Sequence, residues 1–130
     1  MIHEEIVTYE VARLAKVKGF DVPTRTIKVE KIEGTEKEVW DEEECRYITQ
    51  WETRSVRIPT QSLLQRWMRE IHAIDIDIYP IFPDGEPYKR EYGCQVYAVG
   101  KSNKPFRIGY AKTYENMLES ALKYALENLV

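Results

Sequence analysis

The sequence has few cysteines, no long apolar run and little net charge, and each of these absences excludes a class of protein. Cys45 and Cys94 are the only cysteines among 130 residues, too few for a disulfide framework and without the CxxC or Cys/His spacing of a zinc site. The apolar stretches are only a few residues long, far short of the roughly 18 that a membrane-spanning helix needs. A formal net charge of −3 creates no strong attraction for nucleic acid or an anionic membrane. We therefore expect two free thiols and no membrane partner.

The overall composition is that of a folded, water-soluble protein. Apolar residues make up 43% and charged residues 32% of the chain, which is too apolar for a disordered segment. The first residues, MIHEEIVTYE, carry acids where a secretory signal needs bases, and this favours a cytoplasmic location. No repeat, low-complexity tract or linker divides the sequence, so we predict a single domain over residues 1–130.

Three segments have the signals of amphipathic helices. The first is predicted from Thr8, as N-cap, to Lys18, with Gly19 at the left-handed position that ends it. The second is PTQSLLQRWMREIH at 59–72, and the third begins at Thr113 and runs to the end of the sequence. The positions predicted to face the core in the second helix are Leu63, Leu64, Trp67, Met68 and Ile71. Those of the third helix are Leu118, Ala121, Leu122, Ala125, Leu126 and Leu129.

Strand patterns lie on both sides of the second helix. Residues 26–32 are predicted as a strand, 33–44 as an exposed acidic loop or hairpin tip, and 45–51 as a second strand paired with the first. After the helix, IDIDIYPIF, EYGCQVYAVG and FRIGYAK are separated by turn sequences, which predicts an antiparallel meander. The predicted fold class is therefore α+β: an N-terminal helix and β-hairpin, then an α-β-β-β-α unit whose antiparallel sheet is packed by helices.

One group of acids could form a site for a hard metal ion. Asp75 and Asp77 share one face of a predicted strand, directly after Glu70 and His72, and carboxylates of this kind bind divalent cations in nucleases. Acids that alternate along a strand are equally typical of a solvated sheet face. A histidine near a helix C-terminus is explained by the helix dipole. Asp75 and Asp77 are therefore only weak metal candidates, and no cofactor is predicted.

Catalytic motifs are missing from the sequence. Cys45 follows four consecutive acids, which disfavour its thiolate, and Cys94 lies within an alternating strand as a small core residue. Asp84, Glu86 and Lys89 approach a restriction-nuclease pattern, but the spacing of the last two places them on opposite strand faces, and Asp84-Gly85 is explained by a turn. With no GxSxG, phosphate loop or HExxH, we predict that the protein is not an enzyme.

The element order from residue 60 onward is that of a double-stranded-RNA-binding domain. That resemblance implies phosphate binding by basic residues at the N-terminus of the last helix. Here this turn reads Tyr114-Glu115-Asn116, which repels phosphate. The remaining basic candidates for weak nucleic-acid binding are Arg54, Arg57, Arg66 and Arg69, for which a solvated helix face is the competing explanation.

The segment PTQSLLQRWMREIHAIDIDI and the closing TYENMLESALKYALENLV resemble a group of small uncharacterised proteins encoded by bacteriophages and prophages. The resemblance implies a short gene product of a mobile element, a class that holds many binding and inhibitory modules. We therefore predict a non-catalytic protein-interaction module that contacts a protein partner, either a second copy in a homodimer or a host or phage protein, through a sheet face or edge. Weak nucleic-acid binding through the arginines is the alternative.

Overall fold

The computed structural model describes residues 4–130, over which the chain forms three α-helices and seven β-strands. In chain order the elements are α1 (Tyr9–Val17), β1 (Thr26–Lys31), β2 (Lys37–Asp41), β3 (Arg46–Gln50), β4 (Thr53–Ile58), α2 (Gln61–His72), β5 (Ile74–Ile81), β6 (Glu91–Ala98), β7 (Phe106–Ala111) and α3 (Tyr114–Asn128). The predicted α+β class and the α-β-β-β-α order after residue 60 are confirmed. None of the helices within residues 4–130 is long and apolar enough to cross a membrane.

The last three strands form an antiparallel sheet in the order β5-β6-β7, as the meander prediction required. Because side chains alternate along a strand, the pairs Ile76↔Val96 and Ile78↔Cys94 share one face. This face packs against the helices, and α3 contacts all three strands. Asp75 and Asp77 lie on the opposite, exposed face.

The helix boundaries follow the predicted capping residues. The Thr8 hydroxyl accepts a hydrogen bond from Val11 N at 3.3 Å, and Thr60 and Thr113 cap α2 and α3 in the same way. At the end of α1, Gly19 has φ of +99°. The Phe20 N–H then donates to the Ala15 carbonyl at 2.9 Å, which completes the predicted glycine-type helix end.

The core lies between the helices and the sheet, and the third helix supplies its largest share. All six apolar positions predicted for α3 are buried. In α2 the prediction holds for Leu64, Trp67 and Met68, and Leu63 is half-buried against the core, but the prediction is wrong for Ile71, which is 65% exposed. Gln61, on the first turn of the same helix, is buried instead. Its amide donates to the Glu115 carbonyl and to Glu119 Oε1 at 2.9 and 3.1 Å.

The region between α1 and α2 differs from its prediction in two ways. Residues 33–44 are not all loop, because 37–41 form β2. The first strand also does not pair with the strand after Cys45: β1 pairs with β4, and β2 pairs with β3, both antiparallel. The four strands thus form a two-stranded ribbon in two sections, which runs out along β1 and β2 and returns along β3 and β4. Between the sections, residues 32–36 lie opposite residues 51–52, so the register shifts by three residues.

Candidate functional site

The outer part of this ribbon, residues 32–52, is here called the arm. None of its residues is buried, and none of its apolar side chains belongs to the core or packs against it. Val39 lies opposite Ile48 on one face, and Trp40 lies opposite Tyr47 on the other. The two aromatic rings meet edge to face, with centroids 5.1 Å apart, yet Trp40 is 49% and Tyr47 66% exposed. The arm therefore presents an aromatic pair to its surroundings.

A tight turn closes the end of the arm. The Asp41 carboxylate accepts hydrogen bonds from the backbone N–H groups of Glu43 and Glu44, at 2.9 and 3.3 Å. Cys45 occupies the left-handed region with φ of +52°, a conformation that turns the chain back into β3. The side chains of Glu42, Glu43 and Glu44 are consequently exposed together at the tip.

The arm is the most acidic part of the chain. Residues 32–52 hold eight acids and two bases, a formal charge of −6. Because the whole chain carries −3, the remainder carries +3. The acids of the arm are Glu33, Glu36, Glu38, Asp41, Glu42, Glu43, Glu44 and Glu52.

Hydrogen bonds connect the two strands where the arm joins the base of the ribbon. The Ile32 N–H donates to the Glu52 carbonyl at 2.9 Å, which continues the strand ladder past β1 and β4. The Thr35 hydroxyl donates to the Ile32 carbonyl at 2.6 Å and accepts from Glu52 N at 2.9 Å. Hydrogen bonds from its own backbone N–H and from Trp51 lower the pKa of the Glu36 carboxyl, so this acid keeps its charge at neutral pH.

The base of the ribbon, β1 and β4, has one face on the core and one face open. Val56 is fully buried on the inner face, and Glu30 on that face pairs with Arg54 and, at 3.6 Å, with Arg13 of α1. The outer face carries Ile27 and Val29, which are 55% and 58% exposed. The base therefore has exposed apolar side chains of its own, on the same ribbon as the exposed aromatic pair of the arm.

Beside Ile27 lies a groove of about 660 Å³, here called the basal groove. Its lining residues are Lys16, Gly19, Phe20, Asp21, Ile27, Ser55 and Arg57. Lys16 Nζ donates to the Ser55 carbonyl at 2.9 Å. Within residues 4–130, neither Lys16 nor Arg57 forms an ion pair with a carboxylate, so both positive charges are available to a ligand.

The four arginines predicted as a nucleic-acid patch are not brought together. Arg54 and Arg57 lie on opposite faces of β4, because they are three residues apart on a strand. Arg66 of α2 pairs with Glu70 at 3.0 Å and lines a separate cavity of about 370 Å³ with Arg25. Arg69 is exposed on α2. The prediction therefore identified exposed bases, but not a common surface.

The metal candidates and the cysteines also occupy separate places. Asp75 and Asp77 are exposed on β5, and over the described part of the chain no three potential metal-ligating residues (His, Cys, Asp or Glu) form a group that could hold a metal ion. Cys94 is completely buried, and this burial, with a smaller effect of the Asp77 charge, raises the pKa of its thiol to about 11. Cys45 is exposed at the arm tip.

The aromatic arm was missed by the sequence reasoning, although a signal was available. Val39 and Trp40 lie within the acidic stretch, and they are followed after a short polar interval by Tyr47 and Ile48. Two apolar dipeptides on either side of an acidic turn are typical of a hairpin whose two faces both carry apolar residues. The basal groove could not be found in this way, because α1 and β4 meet only in the folded chain.

Comparison of the chain with protein-family models, with curated proteins and with solved structures finds no match. The geometry of the arm and of the basal groove is therefore the basis for the functional argument.

Proposed function

We propose that this protein is a non-catalytic interaction module that binds a protein partner through its arm. The observation that carries the proposal is the exposed Trp40–Tyr47 pair on an arm that adds no side chain to the core. Tryptophan and tyrosine dominate the binding energy of protein interfaces. An unpaired ribbon also offers free strand edges to a partner.

The charge of the arm defines the kind of surface that it fits. An aromatic pair flanked by a charge of −6 complements an apolar patch bordered by lysines or arginines, because opposite charges accelerate encounter and align the partners. Acids on the arm disfavour nucleic acid as the ligand, since phosphates repel them. The candidate partners are those expected from the sequence: a host protein, a phage protein or a second copy of the chain.

A paired substitution tests the proposal. We expect a Trp40→Ser, Tyr47→Ser variant to lose at least a tenfold factor in affinity for its protein partner, because the aromatic contact area is removed. Partners are found as proteins retained by the immobilised wild type, their retention by the variant is then compared, and the affinity is measured by calorimetry with the purified partner. The matched control is Tyr88→Ser, Tyr110→Ser, which removes two other tyrosines that are 79% and 73% exposed.

The control variant is expected to bind like the wild type. Equal retention and equal affinity for the wild type and the Trp40→Ser, Tyr47→Ser variant would show that the arm is not the binding element. Both variants keep the core intact, so the melting temperature serves to verify that each of them is folded.

Weak nucleic-acid binding remains the alternative, and the cavity shared by Arg25 and Arg66 favours it. It requires an affinity for DNA or RNA that weakens with salt and that falls in an Arg66→Ala, Arg69→Ala variant. We expect no such salt-dependent binding, because the arginines are divided among separate surfaces. Fluorescence anisotropy with labelled DNA and RNA at low ionic strength measures it directly.

A further inference from the structure

We infer that the arm docks in the basal groove of a second copy of this chain, so that two copies form a dimer with reciprocally exchanged arms. The inference rests on the proposed function, because it names the partner of the arm. It also assigns a role to the basal groove, whose cations Lys16 and Arg57 form no ion pair with a carboxylate within residues 4–130.

Charge complementarity is the first argument for a second copy. The arm carries −6, and the rest of the chain carries +3. The acids at the tip and the cations of the groove do not meet within one chain over residues 4–130: Glu42 and Glu43 have no ion pair, and neither do Lys16 and Arg57. No residue of the arm lines the groove, so the arm does not fill the groove of its own chain.

The apolar surfaces match in the same arrangement. The outer face of the base offers Ile27 and Val29 beside the groove, and the arm offers Trp40 and Tyr47 about a third of its length from the tip. With the aromatic pair placed on Ile27 and Val29 of the other copy, the acidic tip extends toward Lys16 and Arg57. Each copy then gives an arm and receives one, as a twofold axis requires.

The size of the contact is sufficient for a specific dimer. At about 3.3 Å per residue the seven residues 46–52 on the return side make the arm roughly 23 Å long, comparable with the roughly 20 Å of the six-residue base. Covering the exposed parts of Trp40, Tyr47, Ile27 and Val29 in both copies buries roughly 900 Å² of surface, and the flanking charges bring the total to about 1,200 Å², the lower end of the range for specific interfaces. We therefore expect a dimer with a Kd in the micromolar range.

A charge exchange between two variants tests this arrangement. The arm variant is Glu42→Lys, Glu43→Lys, and the groove variant is Lys16→Glu, Arg57→Glu; all four side chains are exposed, so both variants are expected to fold. Molecular mass is measured by sedimentation equilibrium over a range of concentrations. We expect the wild type to approach twice the 15.4 kDa of the monomer, and each variant alone to dimerise at least tenfold more weakly, because like charges then face each other.

The mixture of the two variants gives the decisive measurement. In a mixed dimer the lysines of one arm face the glutamates of one groove, and the unchanged arm faces the unchanged groove, so both contacts are complementary. We expect an equimolar mixture to recover a Kd within about threefold of the wild-type value. A control with the same number of reversed charges, Lys101→Glu and Lys104→Glu in the β6–β7 loop, is expected to dimerise like the wild type.

Other results overturn the inference. A wild type that remains monomeric at about 0.5 mM excludes a second copy as the partner, and so does a dimer that neither variant weakens. These results are distinct from failure of the proposed function. The wild type could be monomeric and yet capture a protein that the Trp40→Ser, Tyr47→Ser variant does not capture. In that case the arm is still a docking element, but its partner is a different protein.

Discussion

The helix-and-sheet body and the arm are built from similar residue types but use them in opposite ways. In the body, apolar side chains from α1, α2, α3 and the β5-β6-β7 sheet converge on one buried cluster. In the arm, Val39, Trp40, Tyr47 and Ile48 contact only the ribbon itself and stay exposed or half-buried. Apolar residues therefore form the core in one region and part of the exposed surface in the other. Whether an apolar side chain of a strand is buried or exposed depends on the register of that strand and not on its composition.

The largest effect is expected from a cavity in the body. Leu126→Ala removes a fully buried side chain of α3, and such truncations reduce the free energy of unfolding by about 2–5 kcal/mol. Urea denaturation followed by circular dichroism measures the change. If the free energy of unfolding falls by less than about 1 kcal/mol, α3 is not the central packing element. The body and the arm would then not differ in how much their apolar side chains stabilise the fold.

A second difference concerns the two thiols, and it depends on pH. Cys94 is buried with a pKa of about 11, so the folded protein retains a proton that the unfolded chain loses near pH 9. Stability is therefore unaffected by this group below about pH 9 and falls by roughly 2–3 kcal/mol as the pH rises from 9 to 11. Denaturation of the wild type and of Cys94→Ala across this range isolates the effect, because tyrosines and lysines titrate equally in both proteins.

Thiol labelling at pH 8 provides an independent check of the same contrast. Cys45, exposed at the arm tip, is expected to react with Ellman's reagent at once, and Cys94 only when the protein unfolds. Two results would contradict the burial of Cys94. One is a free energy of unfolding that changes equally with pH above pH 9 in the wild type and in Cys94→Ala, and the other is immediate reaction of both thiols.

The smallest effect on stability is expected in the arm. Trp40→Ser, Tyr47→Ser removes only a cross-strand pair outside the core, so the free energy of unfolding of the monomer should change by less than about 1 kcal/mol. The measurement is made at low micromolar concentration, since a dimer would add a concentration-dependent term. A destabilisation as large as that of Leu126→Ala would place the aromatic pair within the cooperative core.

The sequence predicted the second half of the fold far better than the first. The alternation of Ile74, Ile76 and Ile78 and the capping residues Thr60 and Thr113 are local signals, and the strands and helices that follow from them are all present. Ile71 was misassigned because helical spacing defines a stripe but not its width: it lies in the last turn of α2, just before the chain departs into β5.

The ribbon was mispredicted because its pairing is not local. In β2 the only apolar residues are Val39 and Trp40, and the acids at 36, 38 and 41 make this segment look like a polar loop. In β4 only Val56 and Ile58 alternate as apolar residues. The basal groove was missed for the same reason, because its residues come from distant parts of the sequence. Arg57 was identified as an exposed base, but Lys16 reaches the Ser55 carbonyl from an element 39 residues away. No pattern within one segment indicates that two such side chains border the same groove.

The tight turn at Asp41 also has a consequence for the speed of folding. Thr26 and Ile58 are partners across the base of the ribbon although 32 positions separate them along the chain, and closing so long a loop directly costs about 2 kcal/mol more than closing a four-residue turn. If the hairpin forms first at its tip, in microseconds, each later pair closes over a short step. In that order of folding the arm, which adds no side chain to the core, would bring Val56 close to its partners in the core.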